Sequence, residues 1–166
     1  MEILIASDSH GRESNIRKLL QSHPNAAMLL FCGDGLRDLA QLEEEFPGIA
    51  FFAVRGNCDL LMADDTPTER LLTVGAFRIL MMHGHLFGVK GGLGSAISYA
   101  KKQQADILLF GHTHEPYEEN LSFEPQKLSV FNPGSIGKRD CGAFFYGVLE
   151  IRNNGFLLSH GSFQNV

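Results

Sequence analysis

The chain has 166 residues, a length typical of one domain, so we expect a single domain over residues 1–166. Its hydrophobic content of 44% and charged content of 20% are ordinary for a globular protein. The net charge of −5 gives no sign of a basic nucleic-acid-binding surface. An acidic protein that acts on an anion needs local positive charge, which bound metal ions would supply.

The cysteines and the N-terminal residues indicate the cellular compartment in which the protein is expected. The three cysteines, Cys32, Cys58 and Cys141, have the spacing neither of a zinc ribbon nor of paired disulfides, and their odd number argues against secretion. The segment Met1 to Asp8 lacks the basic start and the long apolar stretch of a signal peptide. No segment has the length needed to span a membrane. We therefore expect a cytoplasmic protein that does not bind membranes.

The pattern of apolar residues predicts a βαβαβ first half and a β-rich second half. Short apolar runs predict strands over 2–7, 26–32 and 49–54, with helices over 13–21 and 36–46 between them. This order favours a parallel sheet. A hairpin over 69–74 and 77–82, a helix over 93–104 and a strand over 106–110 follow, and the late strands, predicted as antiparallel, are 117–123, 127–131, 143–151 and 156–161. The prediction is two packed sheets with helices outside.

Polar side chains of metal-ligand type follow five of the predicted strands, at the point where each strand ends. They are Asp8 with His10, Asp34, Asn57, His83, and His112 with His114. Because ligands of open α/β sheets bind beyond the carboxyl ends of strands, we expect these side chains to converge on one site. Taken alone, Asp8 or Asn57 would be adequate turn residues.

The donor types restrict the metal. Imidazole, carboxylate and amide groups suit divalent manganese, iron, zinc, cobalt or nickel, and the set is too rich in nitrogen for calcium or magnesium. Seven donors exceed what one ion needs, whereas one carboxylate bridging two ions would distribute them. Two ions about 3.5–4 Å apart can clamp a phosphoryl group and acidify a water molecule.

The same positions carry a family resemblance. Five blocks resemble, in order and spacing, those of the calcineurin-like metallophosphoesterases: Asp8-Ser9-His10, Gly33-Asp34, Gly56-Asn57-Cys58-Asp59, His83-Gly84-His85 and Gly111-His112-Thr113-His114. Asn132-Pro133-Gly134-Ser135 resembles the small bacterial and archaeal phosphodiesterase branch. The resemblance implies the metallo-dependent phosphatase fold, a four-layer α/β sandwich of two mixed β-sheets flanked by α-helices.

The resemblance also implies roles for individual residues. Asp8, His10 and His114 would hold one ion, Asn57, His83 and His112 a second, and Asp34 would bridge the two. The implied reaction is hydrolysis of a small phosphoester, a phosphodiester before a monoester, by in-line attack of a metal-bridging hydroxide. Manganese is the usual ion of this branch.

One position departs from the family pattern. Where the broader family has a histidine that protonates the leaving group, this chain has Cys58, and a thiol is a poor donor. We expect slow turnover, a preference for good leaving groups such as aryl esters, or an acid from elsewhere, for which His85 is the candidate and a surface role the alternative. Cys58 and Cys32 are expected to be small buried residues, and Asp59 to orient a ligand or the loop.

Two other hypotheses stay open at this point. A non-catalytic binding module on the same fold would have no reason to keep seven ligands, and a dinuclear hydrolase could act on another ester class. The loops 60–67 and 84–94 carry no readable code for a substrate. A homodimer or higher homo-oligomer could form through the late strands or through Leu60-Leu61-Met62.

Overall fold

A computed structural model describes residues 1–59, 65–137, 143–153 and 155–164. The segment Leu60-Leu61-Met62, most of the loop 60–67 and Cys141 lie outside the described residues. No helix in the described ranges is both long enough and apolar enough to cross a membrane.

The described residues form ten β-strands, three α-helices and two short 3₁₀ turns. The strands are β1 (Glu2–Ala6), β2 (Met28–Phe31), β3 (Ala50–Ala53), β4 (Glu69–Val74), β5 (Phe77–Met82), β6 (Ile107–Leu109), β7 (Pro116–Phe123), β8 (Gln126–Pro133), β9 (Phe144–Arg152) and β10 (Gly155–Phe163). The helices are α1 (Glu13–Ser22), α2 (Ala40–Glu45) and α3 (Gly94–Lys102), and the 3₁₀ turns are Leu36–Leu39 and His85–Phe87.

The strands form two mixed sheets of five strands each. In the first sheet, ordered β10-β9-β1-β2-β3, strands β1, β2 and β3 are parallel and β9 and β10 antiparallel. In the second sheet, ordered β4-β5-β6-β8-β7, strands β5, β6 and β8 are parallel. The prediction of two packed sheets is confirmed. The prediction that the late strands are all antiparallel is wrong for β8, which pairs with β6 in parallel.

Successive side chains of a strand point to opposite faces of its sheet, so each strand contributes to two different layers of the core. In β1, Ile3 and Ile5 belong to the core between the sheets, whereas Leu4 and Ala6 pack on the opposite face. That outer face of the first sheet is covered by α1 and by the segment from Leu36 to Leu42. The outer face of the second sheet is covered by α3. The layers therefore run helix, sheet, sheet, helix, which confirms the predicted four-layer sandwich.

The predicted helix over 36–46 is instead a 3₁₀ turn, Leu36–Leu39, followed by the shorter α2. The first residues are held by long-range hydrogen bonds. The N–H of Leu36 donates to Asp59 Oδ1 at 3.0 Å, and Asp38 Oδ2 accepts from Ser9 Oγ at 2.5 Å and from the N–H of Gly11 at 2.9 Å. These contacts with two other loops take precedence over regular α-helical geometry.

Candidate metal centre

The carboxyl ends of the parallel strands bring the predicted ligands to one edge of the sandwich. β1, β2 and β3 of the first sheet lead to Asp8, Asp34 and Asn57, while β5 and β6 of the second lead to His83 and to His112 with His114. Hydrogen bonds join the sheets here, because the Nδ1–H of His83 donates to the carbonyl of Cys32 at 2.7 Å. The predicted convergence of five strand ends is therefore present in the structure.

The backbone at these positions adopts a rare conformation. Five predicted ligands have positive φ, namely Asp8 (57°), His10 (45°), Asp34 (59°), His112 (68°) and His114 (66°). Among the described non-glycine residues, only Gln104 shares this property. Each such residue costs about 1 kcal/mol or more, and such strain concentrates at functional sites. The fold retains this cost at the residues that carry the donor atoms.

Asp8, His10 and His114 form the first donor cluster, and their ligand atoms all lie within 4.8 Å of one another. The Nε2 atoms of His10 and His114 are 3.2 Å apart, and Asp8 Oδ1 is 3.1 Å from His114 Nε2. Asp8 Oδ2 accepts from Ser7 Oγ and from the N–H of His112, whereas the buried Oδ1 has the imidazole of His114 beside it but accepts no bond of hydrogen-bond geometry. A buried acceptor without a partner is costly, and a cation between the two imidazoles would satisfy it.

Asp34, His83 and His112 form the second donor cluster, also within 4.8 Å. His83 Nε2 lies 3.2 Å from Asn57 Oδ1 and 3.4 Å from Asp34 Oδ2. Because the Nδ1–H of His83 is bonded to a carbonyl, its Nε2 is the atom left to face an ion. The amide of Asn57 points its nitrogen toward Cys58 Sγ at 3.3 Å, which leaves its oxygen on the side of His83.

Asp34 lies between the two clusters. It shares a further group of donor atoms within 4.8 Å with His10 and Cys58, so its carboxylate is close to a member of the first cluster and to both imidazoles of the second. This is the position that a bridging carboxylate requires. The donor types, the buried Asp8 oxygen and the spacing together fit two divalent ions.

The pKa shifts of the site residues refer to the site without metal ions. Burial acts to raise the pKa of Asp34, but hydrogen bonds from His83 and from the N–H of Cys58 outweigh it and hold the pKa below its usual range. For His83, burial acts to lower the pKa, and the contacts with Asp34 and the charge of Asp8 raise it above the usual value. Burial and the charge of His83 lower the pKa of His112 to about 4. The contact between His83 and Asp34 thus favours the protonated imidazole, and a metal ion at Nε2 would have to displace that proton.

Asp59 organises the backbone behind the ligands. Its Oδ2 accepts from the N–H groups of Asp34 (2.8 Å) and Gly56 (2.9 Å), and its Oδ1 accepts from those of Gly35 (2.9 Å) and Leu36 (3.0 Å). The side chain is only 7% exposed. One carboxylate therefore ties the turn that carries Asp34 to the turn that carries Asn57.

Sequence reasoning undervalued a second set of supporting residues, which lie at the end of β8 and directly after it. Asn132 is buried and its Nδ2 donates to the carbonyl of Gly111 and to Thr113 Oγ1, both at 3.0 Å. Ser135 donates from Oγ to the carbonyl of Asp8 at 2.9 Å. These bonds fix the turns of Asp8 and of His112. The signal was the motif Asn132-Pro133-Gly134-Ser135, which also serves as an ordinary turn sequence.

Glycine at position 56 is required by close approach. A Cβ there would lie 2.1 Å from Asp34 Oδ1 and 2.5 Å from the backbone nitrogen of Asp34. The turn of Gly56 and the turn of Asp34 are therefore in direct contact.

Cys58 corrects the sequence-based expectation of a small buried residue. Cys32 is buried as expected, but Cys58 is exposed at the surface of the site, where its backbone N–H donates to Asp34 Oδ1 at 2.7 Å. Desolvation and a hydrogen bond to Asp34 raise the pKa of its thiol to about 11. The thiol is therefore neutral near pH 7 and weak as an acid.

His85 lies next to the second cluster. Its ring centroid is 5.3 Å from that of His83 and 6.2 Å from that of His112, and its Nδ1 is buried without a hydrogen-bond partner. Burial and the charge of His83 lower its pKa. The ring is near enough to take part in the chemistry of the site, and its role stays a prediction.

A cavity of about 320 Å³ opens beside the donor clusters and includes His10, Asp34, Cys58 and Asp59 in its lining. Arg37 and Asp38, from the 3₁₀ turn, also line it. Neither was singled out in the sequence, because Arg37 reads there as a solvated charge on a helix.

The family model of the calcineurin-like phosphoesterase superfamily domain matches residues 1–154. The chain belongs to this superfamily. The match includes every predicted ligand, and the resemblance stated from the sequence is confirmed.

Relatives and solved structures that are similar to the chain are also named as phosphoesterases. The chain is 39% identical over 157 residues to the probable metallophosphoesterase YsnB of Bacillus subtilis, covering 93% of this chain and 86% of that protein. It is 30% identical over 172 residues to the phosphodiesterase YfcE of Escherichia coli, covering 90% of this chain and 88% of YfcE. A predicted phosphoesterase of Streptococcus pneumoniae superposes with a TM-score of 0.78 at 26% identity, covering 96% of this chain and 87% of the other.

These findings make the protein a metal-dependent phosphoesterase, a hydrolase. They decide against the non-catalytic module and against a hydrolase of another ester class.

Proposed function

We propose that the protein is a dinuclear phosphodiesterase. Asp8, His10 and His114 hold one divalent ion, Asn57, His83 and His112 hold the second, and Asp34 bridges them. The observation that carries this proposal is the position of Asp34, whose donor atoms lie within 4.8 Å of those of His10 on one side and of His83 and His112 on the other. The phosphodiesterase YfcE, 30% identical, supports a diester as substrate.

Two ions held there would neutralise the phosphate and acidify a water molecule, so that hydroxide attacks phosphorus in line with the leaving group. The chain itself supplies orientation. Asp59 fixes the backbone of Asp34 through hydrogen bonds, and the bond from His83 Nδ1 to the carbonyl of Cys32 directs Nε2 toward the site. Preorganised ligands of this kind reduce the reorganisation needed during the reaction.

Departure of the leaving group is the weak step. Cys58 occupies the wall of the cavity where the broader family has its histidine, and a thiol is a poor hydrogen-bond donor that carries no positive charge when neutral. Substrates with acidic leaving groups, such as aryl esters, therefore fit this site best. His85 is the alternative proton donor through its position beside His83.

We further propose manganese as the ion, with iron, zinc, cobalt or nickel as alternatives, since mixed imidazole and carboxylate ligation suits all of them. The odd number of cysteines and their spacing support a reducing, cytoplasmic location. The cavity of about 320 Å³ has room for a small phosphoester. A homo-oligomer stays a prediction.

The test combines metal analysis with hydrolysis of bis(4-nitrophenyl) phosphate. We expect two metal equivalents per chain and activity that returns on adding one of the five ions to metal-free protein. Asp34→Ala should lower kcat/KM at least about 1000-fold, because loss of the ions removes several kcal/mol of transition-state stabilisation.

Asp106→Asn is the matched control, since Asp106 accepts one hydrogen bond from the N–H of Arg78 and takes no part in the site. One metal equivalent in the active protein would contradict the dinuclear proposal. Absence of hydrolysis with all five ions would contradict the diesterase proposal.

A further inference from the structure

Arg37 is the one permanently charged cation among the described residues that line the cavity beside the donor clusters. Its guanidinium makes no hydrogen bond or ion pair with the described residues, and its side chain is exposed. An arginine at a cavity wall that none of the described carboxylates engages is available to an anion from solution.

The backbone on both sides of Arg37 is fixed. The N–H of the preceding Leu36 donates to Asp59 Oδ1 at 3.0 Å. The following Asp38 donates its N–H to the carbonyl of Gly35 at 2.9 Å, and its Oδ2 accepts from Ser9 Oγ at 2.5 Å. The start of the Arg37 side chain is therefore held relative to the turns of Asp34 and of His10.

The neighbouring carboxylates do not compete strongly for the guanidinium. Both oxygens of Asp59 accept backbone N–H groups, two each. Asp38 Oδ2 accepts from Ser9 Oγ and from the N–H of Gly11. Asp34 accepts from the N–H of Cys58 and faces His83. These contacts partly offset the negative charge that the cavity presents to a second anion.

We propose that Arg37 forms an anion subsite that binds a second phosphate group carried on one ester arm of the substrate. The proposal rests on the phosphodiesterase function described above. The charge of the scissile group is met by the two ions, whereas a second phosphate in the cavity meets Arg37. The planar guanidinium offers two parallel N–H donors to such a group.

The test uses two substrates that differ by one phosphate: thymidine 5′-(4-nitrophenyl phosphate) and the same compound with a 3′-phosphate. Arg37→Gln should raise KM for the 3′-phosphorylated substrate about 10-fold, the size of one charge-assisted hydrogen bond at a half-open site. Its kcat, and both constants for the substrate without the 3′-phosphate, should change less than about 2-fold.

Arg12→Gln is the matched control. Arg12 is also exposed and follows Gly11, a residue of the cavity lining, but does not itself line the cavity. If Arg12→Gln reproduces the effect, general electrostatics accounts for it and the subsite is excluded. An equal effect of Arg37→Gln on both substrates, or none on either, also overturns the proposal.

A binding measurement separates this proposal from the diesterase proposal. Calorimetry on the manganese-loaded protein should give about 10-fold tighter binding of thymidine 3′,5′-bisphosphate than of thymidine 5′-phosphate, and Arg37→Gln should remove the difference. This result would support the subsite even if neither nitrophenyl diester were hydrolysed. Equal affinities in the wild-type protein would overturn the subsite while leaving the diesterase proposal intact.

Discussion

Replacing Asp59 by asparagine tests the claim that one buried carboxylate holds two turns of the site together. The carboxylate accepts four backbone N–H groups at 2.8 to 3.0 Å, from Asp34, Gly35, Leu36 and Gly56. An amide has one oxygen, so one pair of N–H groups keeps an acceptor. The other pair faces an NH₂ group that cannot accept.

The expected loss of stability follows from this count. A hydrogen bond to a charged group contributes about 1.5 kcal/mol at the low end, so the loss of two bonds should lower the free energy of unfolding by about 3 kcal/mol. For a chain of this size, that corresponds to a fall in Tm of roughly 6–12 °C. A domain of ordinary stability stays folded after such a loss.

Urea unfolding of the metal-free protein measures the effect without the stabilisation that ligands add. Asp106→Asn is the control, because Asp106 is half-buried and, among the described residues, its carboxylate accepts a hydrogen bond from the N–H of Arg78 alone, at 2.8 Å. The amide oxygen can keep that bond, so we expect a change below about 1 kcal/mol. If Asp59→Asn costs no more than Asp106→Asn, the four bonds do not fasten the turns and the reasoning fails.

Three further predictions concern the same site. Gly56→Ala should lower the free energy of unfolding by about 2 kcal/mol and weaken metal binding, because the new Cβ would clash with Asp34. Gly48→Ala is the control and should not destabilise the protein, since no atom lies within 4 Å of the new Cβ. Equal effects of the two substitutions in urea unfolding would contradict the close approach at Gly56. The unfolded chain protonates His112 near its ordinary pKa of 6.5 and the folded metal-free protein near 4, so folding loses stability as pH falls through this window. Metal-free His112→Gln should therefore lose less stability than wild type between about pH 7 and pH 5, and equal losses would count against the shift. Wild-type kcat should fall steeply as the leaving-group pKa rises, and Cys58→His should flatten that slope; parallel slopes across a set of aryl and alkyl diesters would show that position 58 does not supply the proton.

The sandwich and the ligand cluster could be predicted because local patterns determine them. Short apolar runs identify buried strands, and Asp8, Asp34 and His83 stand directly after such runs. Parallel strands then direct their ends to the same edge. The parallel pairing of β8 with β6 could not be predicted. The hairpin fixes β8 as antiparallel to β7, but it does not determine whether the strand on the other side of β8 runs parallel or antiparallel to it.

What could not be predicted depends on contacts between distant segments. The burial of a residue that follows a turn depends on the segments that pack around it, and Cys58 contacts Asp34, 24 positions earlier in the chain, through its backbone N–H. In the sequence, Arg37 is indistinguishable from a charged residue on the surface of a helix, and only the 3₁₀ turn in the structure shows that it lines the cavity. The four bonds of Asp59 likewise have no local signature, since an aspartate after a turn is common.

Each donor cluster draws on both sheets: Asp8 and His10 meet His114 across the seam, and Asp34 meets His83 and His112. Neither half of the nascent chain holds a complete set of ligands. With the ligand sets proposed above, two divalent ions would bind only after the two halves have docked, and they would then hold the finished sandwich together. Added metal should slow the unfolding rate and leave the refolding rate nearly unchanged.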